Sequence, residues 1–329
     1  YDQVKNALKG RSYTEFWGIE ANPRVETLRK AIVLGKQKNI NFILAVGGGS
    51  VLDGTKLIAA GIASDIDAWD IVLSGVAEKQ IPFASIMTVP ATGSEMNGAA
   101  VITREETQEK YGFGGDYPRF SILDPEVTYS LSEHQVACGL ADAYTHVLEQ
   151  YMTTPGQSRI MDRWAEGVLL TVIIKENPKD YDLMADYMLS ATLALNDFIR
   201  MGITQDWATH QIGHELTALN GITHGHSLAI VMPGLLRVLK QQKFDKLLQY
   251  GERIFNITEG SDDEKVNKAI EKTEEFYRSL GLTTRLSVEG VGEETIETIA
   301  RRFNERGVAF GENQNVTGEV AREILNKCL

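Results

Sequence analysis

The sequence has few cysteines, and neither of them suggests a covalent or redox role. Cys138 and Cys328 are the two cysteines among 329 residues, far apart and outside any CxxC pattern. Such usage gives no disulfide framework and no paired thiol site. A reducing compartment is the simpler interpretation, which predicts a cytoplasmic location.

Positive charge and long apolar runs are also scarce. The chain has 33 Lys and Arg against 45 Asp and Glu, a formal net charge of -12, and no basic stripe offsets it. A phosphate backbone would be repelled, so nucleic acid is not expected as a partner. The longest helix-like apolar segment, residues 227–239, contains Pro233 and Gly234. A membrane span is therefore not expected either.

The first residues have no charged-then-apolar signal pattern. Val4, Ala7 and Leu8 have helical spacing instead. This spacing predicts that the chain opens inside an amphipathic helix, with the strand that should precede it absent.

The first third of the sequence alternates between helix-like and strand-like segments. Residues 23–38 and 51–61 have helical spacing, whereas short apolar runs predict strands at 42–46, 83–89 and 121–123. A polar stretch, 103–117, leads to the last of these strands. The alternation predicts a parallel sheet buried by helices on both faces.

The sequence pattern changes after Asp124-Pro125, and from about Ser132 onward nearly every segment has helical periodicity. The domain boundary is therefore predicted there, with an α/β domain over residues 1–131 and an all-helical domain over residues 132–329. Helix boundaries are predicted at capping boxes that begin at Ser132 and Ser261, and at a stop at Asn220-Gly221.

Two loops that follow predicted strands suit a phosphate-bearing ligand. Gly47-Gly48-Gly49-Ser50 lies where a strand passes into a helix, so its backbone amides can converge on an anion. The pattern is neither GxGxxG nor a P-loop, and a tight turn explains it equally well. The segment Thr88 to Ser94 places hydroxyls on the same sheet edge, which favours a ligand. Asn97 and Lys110 follow, and Lys110 is either a cofactor contact or a surface lysine.

The six histidines are concentrated rather than scattered. Asp142 and His146 lie one helical turn apart, and four histidines fall within seventeen residues further along. A mixed nitrogen and oxygen set of this kind suits a first-row divalent metal ion. Spacing alone leaves open which four of the six candidates bind it: Asp142, His146, His210, His214, His224 and His226.

The spacing of His210 and His214 also matches the HExxH helix of metalloproteases. Gln211 stands where that motif has its glutamate, and an amide cannot serve as the general base. The protease interpretation is therefore weak. Carbonyl reduction is the better match, because a metal ion can polarise the carbonyl while a histidine near the ion relays a proton.

The glycine loop, the Pro90-Ala91-Thr92-Gly93-Ser94-Glu95 segment, Asp142-Ala143-Tyr144-Thr145-His146 and the histidine pairs together resemble the iron-containing (group III) alcohol dehydrogenases. Within that family the resemblance is greatest to bacterial NAD(P)H-dependent butanol dehydrogenases and broad-range aldehyde reductases. The resemblance implies a Rossmann-like dinucleotide-binding N-terminal domain, an all-α metal-binding C-terminal domain, a site in the cleft between them, and a homodimer.

The resemblance also implies a role for each candidate residue. The metal ion, Fe²⁺ or Zn²⁺, would be bound by four ligands, and His214 would be the proton relay beside the nicotinamide. His226 is left as a structural residue. Carried over to this sequence, the ligands are Asp142, His146, His210 and His224, the pyrophosphate contacts are Gly48, Gly49 and Ser50 with Asp53 close behind, and the nicotinamide side is lined by Thr88, Thr92, Asn97 and Lys110.

The chain departs from the family in one respect. Family members have a further βα unit, with a first strand and an additional glycine-rich loop, before the position where this sequence starts. NADP, with NAD as the alternative, is therefore expected from the subfamily alone. Two other functions stay open: a relative of glycerol dehydrogenase or dehydroquinate synthase, and a truncated metal-binding remnant without activity.

Overall fold

The computed structural model describes residues 1–173 and 179–329. The chain contains both strands and helices as far as Leu123, and helices follow. The N-terminal elements are α1 (Asp2–Ala7), α2 (Val25–Gln37), β1 (Ile43–Gly47), α3 (Gly49–Ala63), α4 (Ala68–Leu73), β2 (Phe83–Met87), a 3₁₀ turn (Ser94–Met96), β3 (Ala99–Arg104), β4 (Glu109–Gly114), β5 (Ser121–Leu123) and a second 3₁₀ turn (Pro125–Ser130).

The three predicted strands form one parallel sheet in the order β1-β2-β5. Ile43 pairs with Phe83, and Ser85 with Ser121. This confirms the prediction of a parallel sheet from the apolar runs, and α3 packs against it. Burial on both faces was wrong, because Val46 is 41% exposed. Successive side chains of a strand point to opposite faces of the sheet, so Val46 lies on the face opposite the one that α3 covers.

The polar stretch before β5 hides a hairpin that the apolar pattern does not predict. β3 and β4 pair antiparallel in a separate two-stranded sheet, with Ile102 opposite Tyr111. Ile102 and Phe113 are buried on one face, whereas Glu109 and Lys110 keep the sequence polar. A hairpin with only a few buried side chains lacks the apolar run by which the parallel strands were found.

The rest of the chain is helical, as its periodicity predicts, and the described residues beyond Ser130 add only an isolated bridge between Phe310 and Val316. Both predicted capping boxes are present, and α8 ends at Asn220 as expected. The helices are α5 (Glu133–Tyr151), α6 (Arg159–Ile173), α7 (Tyr181–Ala194), α8 (Ala208–Asn220), α9 (His224–Val238), α10 (Phe244–Phe255), α11 (Asp262–Ser279), α12 (Glu293–Arg306) and α13 (Gly318–Asn326), with a 3₁₀ turn at Leu286–Glu289.

The central helix of this second region is α5, which is buried continuously from Ala137 to Tyr151. It packs against α9, which in turn packs against α8. Gly225, in the first turn of α9, lies so close to α5 that a Cβ atom there would overlap the carbonyl oxygen of Cys138. Both cysteines are free and buried. None of the helices in the described part of the chain combines the length and apolar character needed to cross a membrane.

A buried lysine connects three parts of the helical region. The Nζ atom of Lys243 lies 2.8 Å from Asp206 Oδ2 and 3.3 Å from Glu312 Oε1. It also donates a hydrogen bond of 2.7 Å to the carbonyl oxygen of Met152. The side chains of Lys243 and Asp206 are 1% and 2% exposed. The segment before α8 is thereby fixed to the end of α5 and to the segment before α13.

We expect Lys243→Met to lower the free energy of unfolding by about 3–5 kcal/mol, because it leaves two buried carboxylates without a cation. The shift is measured as the change in the denaturant midpoint. Lys272→Met is the matched control, since Lys272 pairs with Glu275 on the surface, where both side chains are more than 40% exposed. Equal midpoints for the two variants would show that the buried lysine contributes no more than the exposed one.

Candidate functional site

One carboxylate oxygen faces three imidazoles that come from three helices. Asp142 Oδ1 lies 3.4 Å from Nε2 of His146, which is on the same helix, α5. It lies 3.6 Å from Nε2 of His210 on α8 and 3.6 Å from Nε2 of His224, the first residue of α9. The structure therefore brings together the four residues that the family resemblance implies as metal ligands.

The donor set fits a divalent metal ion. Ligand atoms bound at about 2.1 Å in a tetrahedral site are separated by about 3.4 Å, close to the distances found here. One atom each of Asp142, His146 and His210 lies within 4.8 Å of the others, so the three can share an ion. Asp142 Oδ1 and His210 Nε2 are buried with no hydrogen-bond partner among the described residues. Buried polar atoms of this kind normally have a partner, and a metal ion would supply it.

Metal binding requires an ionised carboxylate and neutral imidazoles, and the pKa values of Asp142, His146 and His224 are shifted in that direction. The pKa of His210 is shifted the other way, to about 9. Burial lowers the pKa of His146 to about 4, although Asp142 opposes the shift. Burial, followed by the charge of Lys110, holds the pKa of His224 well below its ordinary value. Burial alone would raise the pKa of Asp142, but the neighbouring His146 and His210 hold it below its usual range.

The other two candidate histidines, His214 and His226, lie outside the four-residue cluster. The ring centroid of His214 is 5.2 Å from that of His224 and 6.3 Å from that of His210, so it sits beside the four-residue cluster. Burial holds the pKa of His214 well below its ordinary value, and Lys110 adds to the effect. His226 Nε2 instead faces the carbonyl oxygen of Thr283 at 3.2 Å, which agrees with a structural role.

The two loops predicted to bind a phosphate-bearing ligand are in contact. Gly48 immediately precedes α3, and Gly49 and Ser50 form the first turn of that helix. A Cβ atom at Gly49 would lie 2.5 Å from Thr92 Oγ1, so the second loop leaves room only for glycine. The backbone N–H of Thr88 donates to the carbonyl oxygen of Gly47 at 3.0 Å. The N-terminus of α3 and two threonines therefore occupy one sheet edge.

The side chains of Asp53 and Asn97 form hydrogen bonds within the protein. Asp53 accepts a hydrogen bond of 2.7 Å from the hydroxyl of Ser94. Asn97 accepts one of 3.0 Å from the buried Lys56 and donates one of 2.8 Å to the carbonyl oxygen of Leu195. These bonds tie the second loop to α3 and to the end of α7. Both residues therefore hold the second loop in place.

Lys110 links the glycine loop to the metal-ligand cluster through a residue that sequence reasoning missed. Its Nζ atom donates to Asn22 Oδ1 at 3.0 Å, and the backbone N–H of Asn22 donates to Ser50 Oγ at 3.2 Å. Burial lowers the pKa of Lys110 to about 8, with Asp142 and Asp53 acting in the opposite direction. Asn22 has a φ of 56°, a left-handed conformation that asparagine tolerates, and it precedes a proline. In a sequence, an Asn-Pro pair indicates a turn and not a ligand contact.

The hairpin that carries Lys110 is held by two arginines of α12. Glu215 on α8 accepts a hydrogen bond of 2.8 Å from Arg302 and pairs with Arg306 as well. Arg302 also donates to the carbonyl oxygen of Gln108, next to β4, at 3.0 Å. The hairpin and the histidine-bearing helix are thus joined through one carboxylate.

A second residue missed at the sequence level is Glu149. It lies seven residues after Asp142 on α5, so i, i+4 and i+7 place it on the face that carries Asp142 and His146. Its carboxylate contacts His210 Nδ1. Burial works against the charged imidazole, but Glu149 and then Asp142 raise the pKa of His210 to about 9. The spacing was a usable signal, since a third polar residue continues the ligand face.

Comparison with known proteins identifies the family. The profile for iron-containing alcohol dehydrogenases matches residues 1–125, and the profile for the C-terminal part of the same family matches residues 136–329. The NADPH-dependent aldehyde reductase YqhD of Escherichia coli is 48% identical over 98% of this chain and 87% of its own length. The probable NADH-dependent butanol dehydrogenase 1 of Bacillus subtilis is 39% identical, over 100% and 88%.

Solved structures agree with this relationship. The crystal structure of Escherichia coli YqhD superposes with a TM-score of 0.97 at 46% identity, covering 100% of this chain and 87% of that one. NADH-dependent butanol dehydrogenase A from Thermotoga maritima gives 0.93 at 35% identity, with the same coverage. The resemblance predicted from the motifs is confirmed. The chain belongs to the iron-containing alcohol dehydrogenase family.

Proposed function

We propose that the protein is a metal-dependent alcohol dehydrogenase and aldehyde reductase that transfers a hydride between NAD(P)H and a small aldehyde or primary alcohol. The observation that carries the proposal is the convergence of three imidazoles on the buried Asp142 oxygen. Lys110 connects this cluster with the glycine loop, since its side chain contacts Asn22 and its charge helps to lower the pKa of Asp142. The site thus combines metal-binding and anion-binding chemistry.

The proposed ligands are Asp142, His146, His210 and His224. When bound, Fe²⁺ or Zn²⁺ supplies Lewis-acid polarisation of the substrate carbonyl and stabilises the negative charge that develops on its oxygen. His214 is left free to handle the proton. Because burial keeps its imidazole neutral, it can donate a proton from one ring nitrogen and accept another at the second.

The cofactor is proposed to lie along the sheet edge formed by the two loops. Backbone amides at Gly48, Gly49 and Ser50 would hold its pyrophosphate, and Thr88, Thr92 and Lys110 would line its nicotinamide side. Asp53 and Asn97, also predicted as cofactor contacts, act by holding the second loop in place. NADPH is favoured over NADH, because the Escherichia coli relative is named as NADPH-dependent, although others are named for NADH.

Trp207 favours an aldehyde or simple alcohol over a polyol or a sugar phosphate. Its indole ring centroid lies 5.3 Å from that of His210 and 6.1 Å from that of His146, so it forms an apolar wall beside the ligands. We also propose a cytoplasmic homodimer, with a nucleotide domain over residues 1–131 and a metal domain over residues 132–329. The two matched profiles support this division, since they leave only residues 126–135 between them.

We expect His210→Ala to abolish both bound metal and aldehyde-dependent NADPH oxidation, because it removes one ligand and leaves a cavity in the cluster. Metal is measured by elemental analysis and oxidation by the loss of NADPH absorbance. His134→Ala is the control, since His134 is an exposed histidine at the start of the same helix as Asp142. Activity that survived complete removal of the metal would contradict the Lewis-acid role.

His214→Ala is expected to keep the metal and to lose turnover by roughly 10²–10⁴-fold, since it removes a proton relay and no ligand. Elemental analysis and steady-state kinetics on the same preparation separate these effects. Loss of metal equal to that of His210→Ala would instead identify His214 as a ligand. A turnover equal to that of the unsubstituted enzyme would exclude it from proton transfer.

Titration of the metal-replete protein with NADPH and NADH, followed by fluorescence, tests the cofactor half. Gly49→Ala is expected to weaken NADPH binding by at least about tenfold, about 1.4 kcal/mol, because its Cβ displaces Thr92 from the loop contact. Gly167→Ala is the matched control, since no atom lies within 4 Å of the Cβ position there. No binding of either nucleotide by the unsubstituted protein would favour a metal-binding remnant.

A further inference from the structure

Glu149 is a buried carboxylate whose two oxygens are both committed to α8. Its side chain is 1% exposed. Oε1 accepts a hydrogen bond of 2.6 Å from the backbone N–H of Thr209, and Oε2 contacts Nδ1 of His210. The backbone carbonyl of Glu149 also accepts from the N–H of Asp206 at 2.9 Å. One residue of α5 therefore holds the start of α8 at three points.

This contact decides which nitrogen of His210 is available. The ionised carboxylate can only accept a hydrogen bond, so the neutral ring carries its proton on Nδ1 and its lone pair on Nε2. That is the atom which faces Asp142 Oδ1 at 3.6 Å and has no partner among the described residues. His146 and His224 differ, because their Nδ1 atoms are buried without a partner in the same part of the chain. The orientation of His210 is thus the one fixed by a carboxylate.

The start of α8 needs such support because its backbone is strained. Trp207, the residue before the helix, has a φ of 64°, which is unfavourable for a bulky side chain. Asp206 Oδ1 accepts the N–H of Ala208 at 3.0 Å, while its other oxygen pairs with the buried Lys243. Glu149 adds the bond to the next residue, Thr209. Asp206 and Glu149 together fix the turn from which His210 projects.

We propose that Glu149 is a positioning residue for the metal ligand His210: its carboxylate fixes the ring orientation and tautomer and strengthens Nε2 as a donor. Carboxylates that accept from the second nitrogen of a metal-bound histidine have this effect generally. The proposal rests on the proposed function only in taking His210 as a ligand. The role of Glu149 is exerted through His210, at the ring nitrogen opposite the donor atom.

Metal affinity, measured apart from catalysis, tests this role. Metal-free full-length protein is titrated with Zn²⁺ against a chromophoric chelator. Glu149→Gln keeps the shape of the side chain but loses its charge, so we expect zinc binding to weaken about 10–100-fold. Glu166→Gln is the matched control, because Glu166 is also a buried carboxylate, 5% exposed, bound by Tyr151 and Arg163. Its zinc affinity is expected to stay unchanged.

A spectroscopic readout separates positioning from mere stabilisation. The visible absorption bands of the Co²⁺-loaded protein report the ligand field, so Glu149→Gln is expected to shift them and Glu166→Gln to leave them unchanged. Wild-type zinc affinity together with an unshifted Co²⁺ spectrum in Glu149→Gln would overturn the proposal. If the unsubstituted chain itself bound no zinc, the proposed function would fail, an outcome distinct from a loss confined to the Glu149 variants.

Two further measurements apply if Glu149→Gln does not fold. Glu149→Asp keeps the charge but shortens the side chain. Its zinc affinity is expected to be lower than that of the unsubstituted protein and of Glu166→Gln, but still measurable. In the unsubstituted zinc-bound protein, proton–nitrogen correlation spectra are expected to show an exchange-protected Nδ1–H that is absent in His210→Ala. A His210 protonated at Nε2 would overturn the proposal.

Discussion

The helical region depends on a single constraint, the burial of the Asp142 carboxylate. A carboxylate removed from water costs several kcal/mol unless charges or donors surround it. Here Oδ1 has no hydrogen-bond partner among the described residues, and a metal ion shared with three imidazole nitrogens at 3.4–3.6 Å, from α5, α8 and α9, would supply the missing charge. The three helices must therefore approach closely, and Gly225 permits this where α9 meets Cys138 on α5. Helix packing and metal chemistry are consequences of the same requirement.

Buried charge recurs around α8, and each instance fixes a different side of that helix. Glu149 holds its first turn, Lys243 holds Asp206 before it, and Glu215 joins it to the arginines of α12. Ion pairs of this kind contribute less to stability than apolar packing of equal volume. Their benefit is orientation, because α8 carries both a proposed ligand and the proposed proton relay. A helix that begins after a strained residue needs that restraint.

Much of this arrangement could be predicted from local patterns. Apolar runs identified β1, β2 and β5, and capping boxes identified the starts of α5 and α11. The histidine spacing gave six candidates for the cluster, and the family resemblance selected four of them. Burial on both sheet faces was wrong at Val46, and the β3–β4 hairpin was missed because its strands are largely polar.

The contacts that complete the site join residues far apart in the sequence, so local patterns do not predict them. Asn22, Ser50 and Lys110 meet across 28 and 88 residues of sequence, and Glu149 meets His210 across 61. Contacts over such separations in sequence depend on how the helices and strands pack in three dimensions, which single-sequence periodicity does not encode. The roles of Asp53 and Asn97 needed the same information, since their partners Ser94 and Leu195 lie in segments far along the chain.

The origin of the four proposed ligands on three helices has a consequence for the unfolded chain. An ion held at residues 142 and 210 closes a loop of about 70 residues, and in the chain-entropy account a cross-link of that span restricts the denatured ensemble by about 4 kcal/mol. The two cysteines are free and buried, so they supply no cross-link of their own. An ion at these proposed ligands would therefore restrain the chain as a disulfide does, and its loss would remove that restraint as well as a Lewis acid.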